Sequence, residues 1–231
     1  MATIINIETS TSSCSLSLAS DGKILFSACD PTGMNHAKLL GGYAKEAENV
    51  LKEKNLHLDA VCVSKGPGSY TGLRIGVSMA KGLCFGADAK LIAVDTLALI
   101  AHTAIKSGAV ESDALVCPMI DARRMEVYAS FFDSKLNQVR ATSADIIDEN
   151  SYAEYLGGKK VYFCGNGSDK CKSVLTGANA NFISDIIPLA ENMVELSEKK
   201  YAEQKFEDVA YFEPEYVKEF VATVAKNKVL G

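Results

Sequence analysis

The sequence lacks any uninterrupted apolar stretch of about 18 residues, which is the length that a membrane-spanning helix requires. It also lacks a basic excess, since 24 lysines and arginines stand against 29 aspartates and glutamates, for a net charge of −5. Because binding to phosphates needs a basic surface, we do not expect this chain to hold a nucleic acid by itself. We therefore expect that the protein does not contact a membrane and that it contacts RNA only through another protein.

Cysteines at metal-binding spacing are missing as well. None of the seven cysteines forms a CxxC pair, and the closest two, Cys164 and Cys171, are seven positions apart without a neighbouring histidine. Most of the others lie in apolar or alternating runs, where a thiol behaves as a small hydrophobic group. An odd number of such cysteines indicates a reducing compartment, so we expect a cytoplasmic protein without a cysteine metal site.

Apolar spacing predicts that the first half begins with an antiparallel meander of three strands within residues 3–30. Apolar positions then recur at helical spacing from His36 to Lys54. The elements predicted after this helix are a buried strand at 60–63, a glycine-rich turn, a helix from about Gly72 to Phe85, a strand at 91–94 and a helix at 97–105. The predicted order is β-β-β-α-β-α-β-α.

The pattern restarts in weaker form after Gly108. Strands are predicted at 115–120, 125–132 and 161–164, and a helix from Leu189 to about Lys205. Two halves with a similar order of elements indicate a duplicated α/β architecture, with lobes at 1–107 and 108–231 and with room for the last segment to pack back on the first lobe. A single domain with one large mixed sheet is the alternative.

A glycine-rich turn from Ser64 to Gly76 joins a buried strand to a helix, a place where backbone amides can hold an anion. It is not a Walker loop, because Leu73 and Arg74 stand where that motif needs lysine and then serine or threonine. The structural alternative is a tight turn whose glycines permit positive φ and whose Thr71 caps the helix. The turn by itself leaves both interpretations open.

Three motifs stand in order within the first 132 residues: Ile7-Glu8-Thr9-Ser10-Thr11, the eleven residues from Gly66 to Gly76, and the segment from Ile120 to Tyr128. Together they closely resemble the TsaB (YeaZ) family of bacterial tRNA threonylcarbamoyladenosine biosynthesis proteins. Residues 164–167 and 213–218 resemble the family less specifically. The resemblance implies the two-lobed actin-like ATPase, RNase H-like fold, with duplicated mixed sheets flanked by helices.

The resemblance also implies the role of a non-catalytic partner subunit. In the family, TsaB binds and activates the related catalytic subunit TsaD, and the ATPase TsaE joins through the complex. The complex transfers threonylcarbamoyl from its adenylate to N6 of the adenosine next to the anticodon of ANN-decoding tRNAs. ATP and metal are then expected in the partner subunits, with no intrinsic cofactor here, tRNA contact only through the complex, and a homodimer when the chain is alone.

Histidine is scarce, and this limits the chemistry that the chain can perform. TsaD holds a metal through an HxxxH pair, whereas here His36 is followed four positions later by Leu40, so we expect no metal site and interpret His36 as an exposed residue near a helix start. A peptidase using Ser10 or Ser69 would need a histidine base within hydrogen-bond reach. It remains the weaker of two enzymatic alternatives.

The stronger enzymatic alternative is a nucleotide-hydrolysing or phosphotransfer enzyme of the same fold. Glu8 and Asp121 end predicted strands at positions where such relatives place carboxylates around magnesium, and they are the candidate cleft residues. Against this, the turn after Glu8 lacks the glycines and the basic group that would admit a triphosphate. Hydrogen bonding at strand ends, including to Arg123 or Arg124, is the structural interpretation.

Small residues recur along the first two helices, and glycine in a helix interior costs about 1 kcal/mol. Packing on their own sheet accounts for one face of each helix, and the glycines suggest a second contact face. The resemblance implies that these helices join TsaB to TsaD or to a second TsaB. The expected partner interface comprises Leu40, Tyr43, Ala44, Ala47, Leu51, Thr71, Gly72, Ile75, Gly76, Met79 and Ala80.

Overall fold

The computed structural model describes residues 2–31, 33 and 35–218. The first lobe is built on five strands, β1 (Thr3–Glu8), β2 (Cys14–Ser20), β3 (Lys23–Asp30), β4 (Ala60–Gly66) and β5 (Lys90–Asp95). Its helices are α1 (His36–Glu53), α2 (Tyr70–Ala87) and α3 (Thr96–Lys106). The second lobe is built on β6 (Leu115–Asp121), β7 (Glu126–Asp133), β8 (Gln138–Ile146), β9 (Val161–Cys164) and β10 (Ala180–Ile183). Two further helices are α4 (Ala153–Leu156) and α5 (Val194–Ala202).

The two sheets have the same topology. The first has the strand order β3-β2-β1-β4-β5, and the second has the equivalent order β8-β7-β6-β9-β10. In each, the first three strands pair antiparallel and the last two add in parallel. This repetition confirms the predicted two-lobed, actin-like ATPase and RNase H-like fold, and the alternative of one large mixed sheet is wrong. The predicted second lobe runs to residue 231, and 219–231 lie outside the described residues.

The first sheet is covered on both faces, which explains why every residue of β1 is buried. Alternate side chains of a strand point to opposite faces, so Ile5 and Ile7 pack with α1 and α2 while Ile4 packs with α3 and α5. The continuous apolar run of β1 is the pattern expected of a strand buried on two sides.

Helix α3 and the segment after β10 both link the two lobes. Helix α3 packs its apolar side chains against β6 and β9 of the second lobe. The chain then returns to the first lobe after β10, where the Ser17 hydroxyl donates to the carbonyl of Ala190 at 2.9 Å and the Ala190 N–H donates to Ser15 Oγ at 2.9 Å. Met193 follows into the core beneath β1 and β4. Among the helices that the structure describes, none is both long and apolar enough to cross a membrane.

Strands β8 and β10 and helix α4 were not predicted. Strand β8 is an edge strand whose residues are all half-buried or exposed, so it lacks the apolar alternation that marks a strand. The helix predicted from Leu189 is shorter, because Ala190–Met193 form a 3-10 turn and the α-helix begins only at Val194. The predicted cap of α2 is also corrected: Ser69, not Thr71, is the N-cap, and its hydroxyl accepts from the Gly72 N–H.

Candidate functional site

The glycine-rich turn and the turn after β1 lie in direct contact. The Thr9 hydroxyl donates to the carbonyl of Gly72 at 2.8 Å, and the Ser69 N–H donates to the carbonyl of Ser10 at 2.6 Å. A Cβ built on Gly72 would lie 2.1 Å from the carbonyl oxygen of Thr9, and one built on Gly76 would lie 2.3 Å from its hydroxyl oxygen. Glycine at these two positions therefore allows helix α2 to lie close to the turn after β1.

Glu8 is fully buried at the end of β1, beneath these turns. Its Oε1 accepts hydrogen bonds from the N–H of Ser10 at 2.6 Å and from the Ser10 hydroxyl at 2.5 Å, and the Ser64 hydroxyl donates to Oε2. Burial raises the pKa of Glu8 above 4.5, and the hydrogen bonds from Ser10 and Ser64 oppose that shift only in part. The carboxyl group is thus enclosed by the chain and is used to order the turn.

Asp121 lies at the end of β6 in a more open environment, with 48% of its side chain exposed. It is ion-paired with Lys170 and accepts a hydrogen bond from the backbone N–H of Arg123 at 2.9 Å. Burial raises its pKa, but the Lys170 ammonium and the Arg123 amide outweigh this and hold the pKa below its ordinary value. The predicted hydrogen bond to Arg123 is therefore present, through its backbone N–H, and the ion pair of Asp121 is with Lys170.

The histidines are engaged separately from the candidate nucleophiles. His36 is buried, with Nε2 3.0 Å from the carbonyl oxygen of Thr11, so the expectation of an exposed His36 is wrong. His102 lies 3.6 Å from Glu195. The hydroxyl of Ser10 donates to Glu8, and that of Ser69 caps α2. Within 2–31, 33 and 35–218, no three histidine, cysteine, aspartate or glutamate side chains are grouped as a metal site would require.

Most of the residues expected at a partner interface are buried in the first lobe itself. The apolar stripe of α1 and the small residues of α2 pack on the sheet, which leaves them little exposed surface. The buried members of the set are Leu40, Ala44, Ala47, Leu51, Gly72, Gly76 and Ala80, and their place at an interface stays a prediction. Thr71 is exposed and Tyr43, Ile75 and Met79 are half-buried, so for these four the prediction stands as a prediction.

The outward side of the same two helices forms an open groove, which we call the α1–α2 face. It is lined by Ala37, Tyr70, Thr71, Arg74, Ile75, Ser78, Met79 and Gly82. Four glycines are exposed on these helices, and a Cβ added to any of them would meet nothing within 4 Å: Gly41, Gly42, Gly82 and Gly86. Phe85, near the end of α2, is 88% exposed. Sequence periodicity did not separate these glycines from the buried ones.

Sequence comparison relates the chain to proteins named TsaB. The TsaB protein of Escherichia coli, a tRNA threonylcarbamoyladenosine biosynthesis protein, is 29% identical over 95% of this chain and 96% of its own length. The protein of the same name from Haemophilus influenzae is 28% identical over 94% of this chain and 93% of its own length.

Structural similarity extends over almost all of the molecule. A crystal structure described as an uncharacterized protein with similarity to peptidase YEAZ from Pseudomonas aeruginosa superposes with a TM-score of 0.80 at 22% identity, covering 94% of this chain and 100% of that one. At this identity the match shows a shared fold. The family model described as TsaD, tRNA N6-adenosine threonylcarbamoyltransferase, matches residues 31–230. The chain therefore belongs to the TsaD family, and along nearly its whole length it resembles the members of that family named TsaB.

Proposed function

We propose that this chain acts in tRNA threonylcarbamoyladenosine biosynthesis as a non-catalytic subunit that binds and activates a TsaD-type catalytic subunit through the α1–α2 face. The names of its full-length relatives support the pathway. In this proposal the complex transfers threonylcarbamoyl from its adenylate to N6 of the adenosine beside the anticodon. A TsaE-like ATPase joins through the complex, tRNA is contacted only there, and ATP and metal belong to the partner subunits. The chain is a cytoplasmic homodimer when alone.

The main support for this proposal is that helix α2 has glycines of two kinds, two that contact the chain itself and two that face outward. Gly72 and Gly76 are explained by close contact with Thr9, but Gly82 and Gly86 face open space. Each glycine in a helix interior costs about 1 kcal/mol relative to alanine. Because no contact within the described part of the chain offsets that cost, the outward glycines fit a surface on which a helix of another subunit packs closely.

The two candidate cleft carboxylates support a non-catalytic role. Glu8 has no exposed surface and its oxygens are taken up by Ser10 and Ser64, so it is poorly placed to bind a magnesium ion. Asp121 is partly neutralised by Lys170. Leu40, which stands four positions after His36 where the resemblance to TsaD would place a second metal-binding histidine, is buried in the core.

An arginine placed on the α1–α2 face tests the proposal. Gly82→Arg should remain folded, because a side chain there meets nothing within 4 Å, and should lose binding to a purified TsaD-type subunit. A charge buried without a partner costs several kcal/mol, and about 1.4 kcal/mol is already tenfold in affinity. Gly158→Arg, at an exposed glycine of the second lobe with equally open surroundings, is the matched control. Undiminished binding by folded Gly82→Arg would place the interface elsewhere.

A further inference from the structure

The segment from Glu207 to Lys218, which we call the strap, runs from the first lobe to the second. It starts as an antiparallel neighbour of β5, where the Glu207 N–H donates to the carbonyl of Leu91 at 2.9 Å. Along α2 the Lys81 ammonium donates to the carbonyls of Ala210 and Phe212 at 2.8 and 3.1 Å. Helix α2 therefore holds the strap by a side chain that binds its backbone.

The strap then crosses the glycine-rich turn at close range. The Glu215 N–H donates to the carbonyl of Lys65 at 2.7 Å, and the Lys65 ammonium pairs with Glu215 Oε1 at 2.5 Å. A Cβ built on Gly66 would lie 2.5 Å from the carbonyl oxygen of Glu215. Glycine at this position thus permits the strap to lie against the turn.

Beyond the turn, the strap completes one end of the α1–α2 face. The ring of Tyr216 lies 5.0 Å from that of Tyr70, and its hydroxyl oxygen accepts from Arg74 Nε at 3.1 Å. The Arg74 guanidinium lies over the Tyr70 ring, 4.2 Å from its centroid. Tyr70 and Arg74 both line the groove. Two residues later, Lys218 pairs with Glu126 at the start of β7, in the second lobe.

We propose that the strap is a reversible latch that orders Arg74 and Tyr70 for partner binding and couples the α1–α2 face to the second lobe. The coupling to a partner rests on the proposed function, whereas the latch itself does not. An arginine held by a ring and a hydroxyl loses less conformational entropy when a partner docks, so a docked strap strengthens binding. By thermodynamic reciprocity, a bound partner stabilises the docked strap.

The contacts of the strap indicate that it opens more readily than the sheets. Val209 and Phe212 are half-buried against the first core, and the strap pairs through Glu215 and Lys218, whose side chains are 60% and 49% exposed. Ion pairs with a solvent-exposed member contribute modestly to stability, and salt screens them. Segments with few buried apolar contacts are the ones that unfold locally. Docking of the strap should therefore weaken as salt concentration rises.

Hydrogen exchange of the full chain tests the latch directly, with the amide of Glu215 as the probe. Tyr216→Ala removes the ring pair and the hydrogen bond from Arg74, and exchange of this amide should become about tenfold faster, as expected for loss of about 1.4 kcal/mol. Tyr216→Phe, which keeps the ring, should show a smaller increase. Tyr211→Ala is the control, because Tyr211 lies in the strap and is 84% exposed. Unchanged exchange in Tyr216→Ala overturns the latch.

Titration with a purified TsaD-type subunit tests the coupling. Tyr216→Ala should bind up to about tenfold more weakly, as follows from loss of the same contacts, and Tyr211→Ala should bind like the unmodified chain. Equal or tighter binding by Tyr216→Ala overturns the coupling, and tighter binding would make the strap a lid that competes with the partner. If the unmodified chain itself does not bind, the proposed function fails, while the exchange result still decides the latch.

Discussion

The Thr9 hydroxyl donates a hydrogen bond to the carbonyl oxygen of Gly72 at 2.8 Å. The carbonyl oxygen of Thr9 would lie only 2.1 Å from a Cβ atom added to Gly72. The first turn of α2 is therefore in backbone contact with the turn after β1. Any side chain at Gly72 must push these two segments apart. The glycines at the start of α2 are explained by this contact, whereas those at its end touch nothing among the residues that the structure describes.

The first prediction compares alanine at two glycines of the same helix. Gly72→Ala should lower the free energy of unfolding by about 1–3 kcal/mol, the usual range for overpacking a tight site. Gly82→Ala should raise it by about 0.5–1 kcal/mol, because alanine favours the helix and the added methyl group meets nothing. Urea unfolding of both variants measures this. Equal destabilisation by the two substitutions would contradict the contact with Thr9.

The second prediction concerns pH and Glu8. Because burial raises its folded-state pKa above 4.5, the stability that neutral Glu8 contributes is fully present below that pH and is lost as pH rises through the folded-state pKa. Glu8→Gln keeps a neutral side chain of similar size at every pH. The unmodified chain should therefore lose stability relative to Glu8→Gln as pH rises above 4.5 and through the folded-state pKa, as followed by urea unfolding. A difference that stays constant with pH would mean that Glu8 is ionised throughout.

The sequence predicted the architecture well because the architecture depends on local periodicity. The strand at 60–63 and the helix from His36 were found within a few residues of their bounds, and the repeated order of elements indicated two lobes. Strand β8 was not predicted, because an edge strand with mixed polar and apolar residues has no distinctive sequence pattern. Its pairing with β7 depends on the rest of the sheet.

The site was harder to predict, because its details depend on contacts between distant residues. Gly76 and Gly82 are alike in sequence, and only the position of Thr9 shows that one of them is required inside the chain. His36 looked exposed, but its ring bonds to the carbonyl of Thr11 from a neighbouring loop. Apolar spacing also locates the core face of a helix, so the residues it marked on α1 were those that pack inside.

The third prediction is that the purified chain does not turn over ATP. Glu8 is enclosed and Asp121 is paired with Lys170, so we expect negligible phosphate release with or without magnesium. Asp121→Asn should leave that background unchanged. A magnesium-dependent turnover that disappears in Asp121→Asn would replace the proposed role with that of a nucleotide-hydrolysing enzyme.

The last prediction concerns Phe85, which is 88% exposed and lies about one helical turn beyond Gly82, the last α2 residue that lines the α1–α2 face. Removing an exposed ring changes little inside the chain, so Phe85→Ser should unfold at the same urea concentration as the unmodified protein, within about 0.5 kcal/mol. Large aromatic side chains at interfaces often contribute about 2 kcal/mol or more to binding, so the affinity for a TsaD-type subunit should fall at least tenfold.

The control for Phe85 is Ile146→Ser, because Ile146 is 77% exposed on the edge strand β8 of the other lobe. It removes a comparable exposed apolar side chain away from the α1–α2 face and should leave both stability and affinity unchanged. Calorimetric titration, with the mass of the free protein measured beside it, separates partner binding from self-association. If Ile146→Ser weakens binding and Phe85→Ser does not, the partner docks on the second lobe and the glycines of α2 need another explanation.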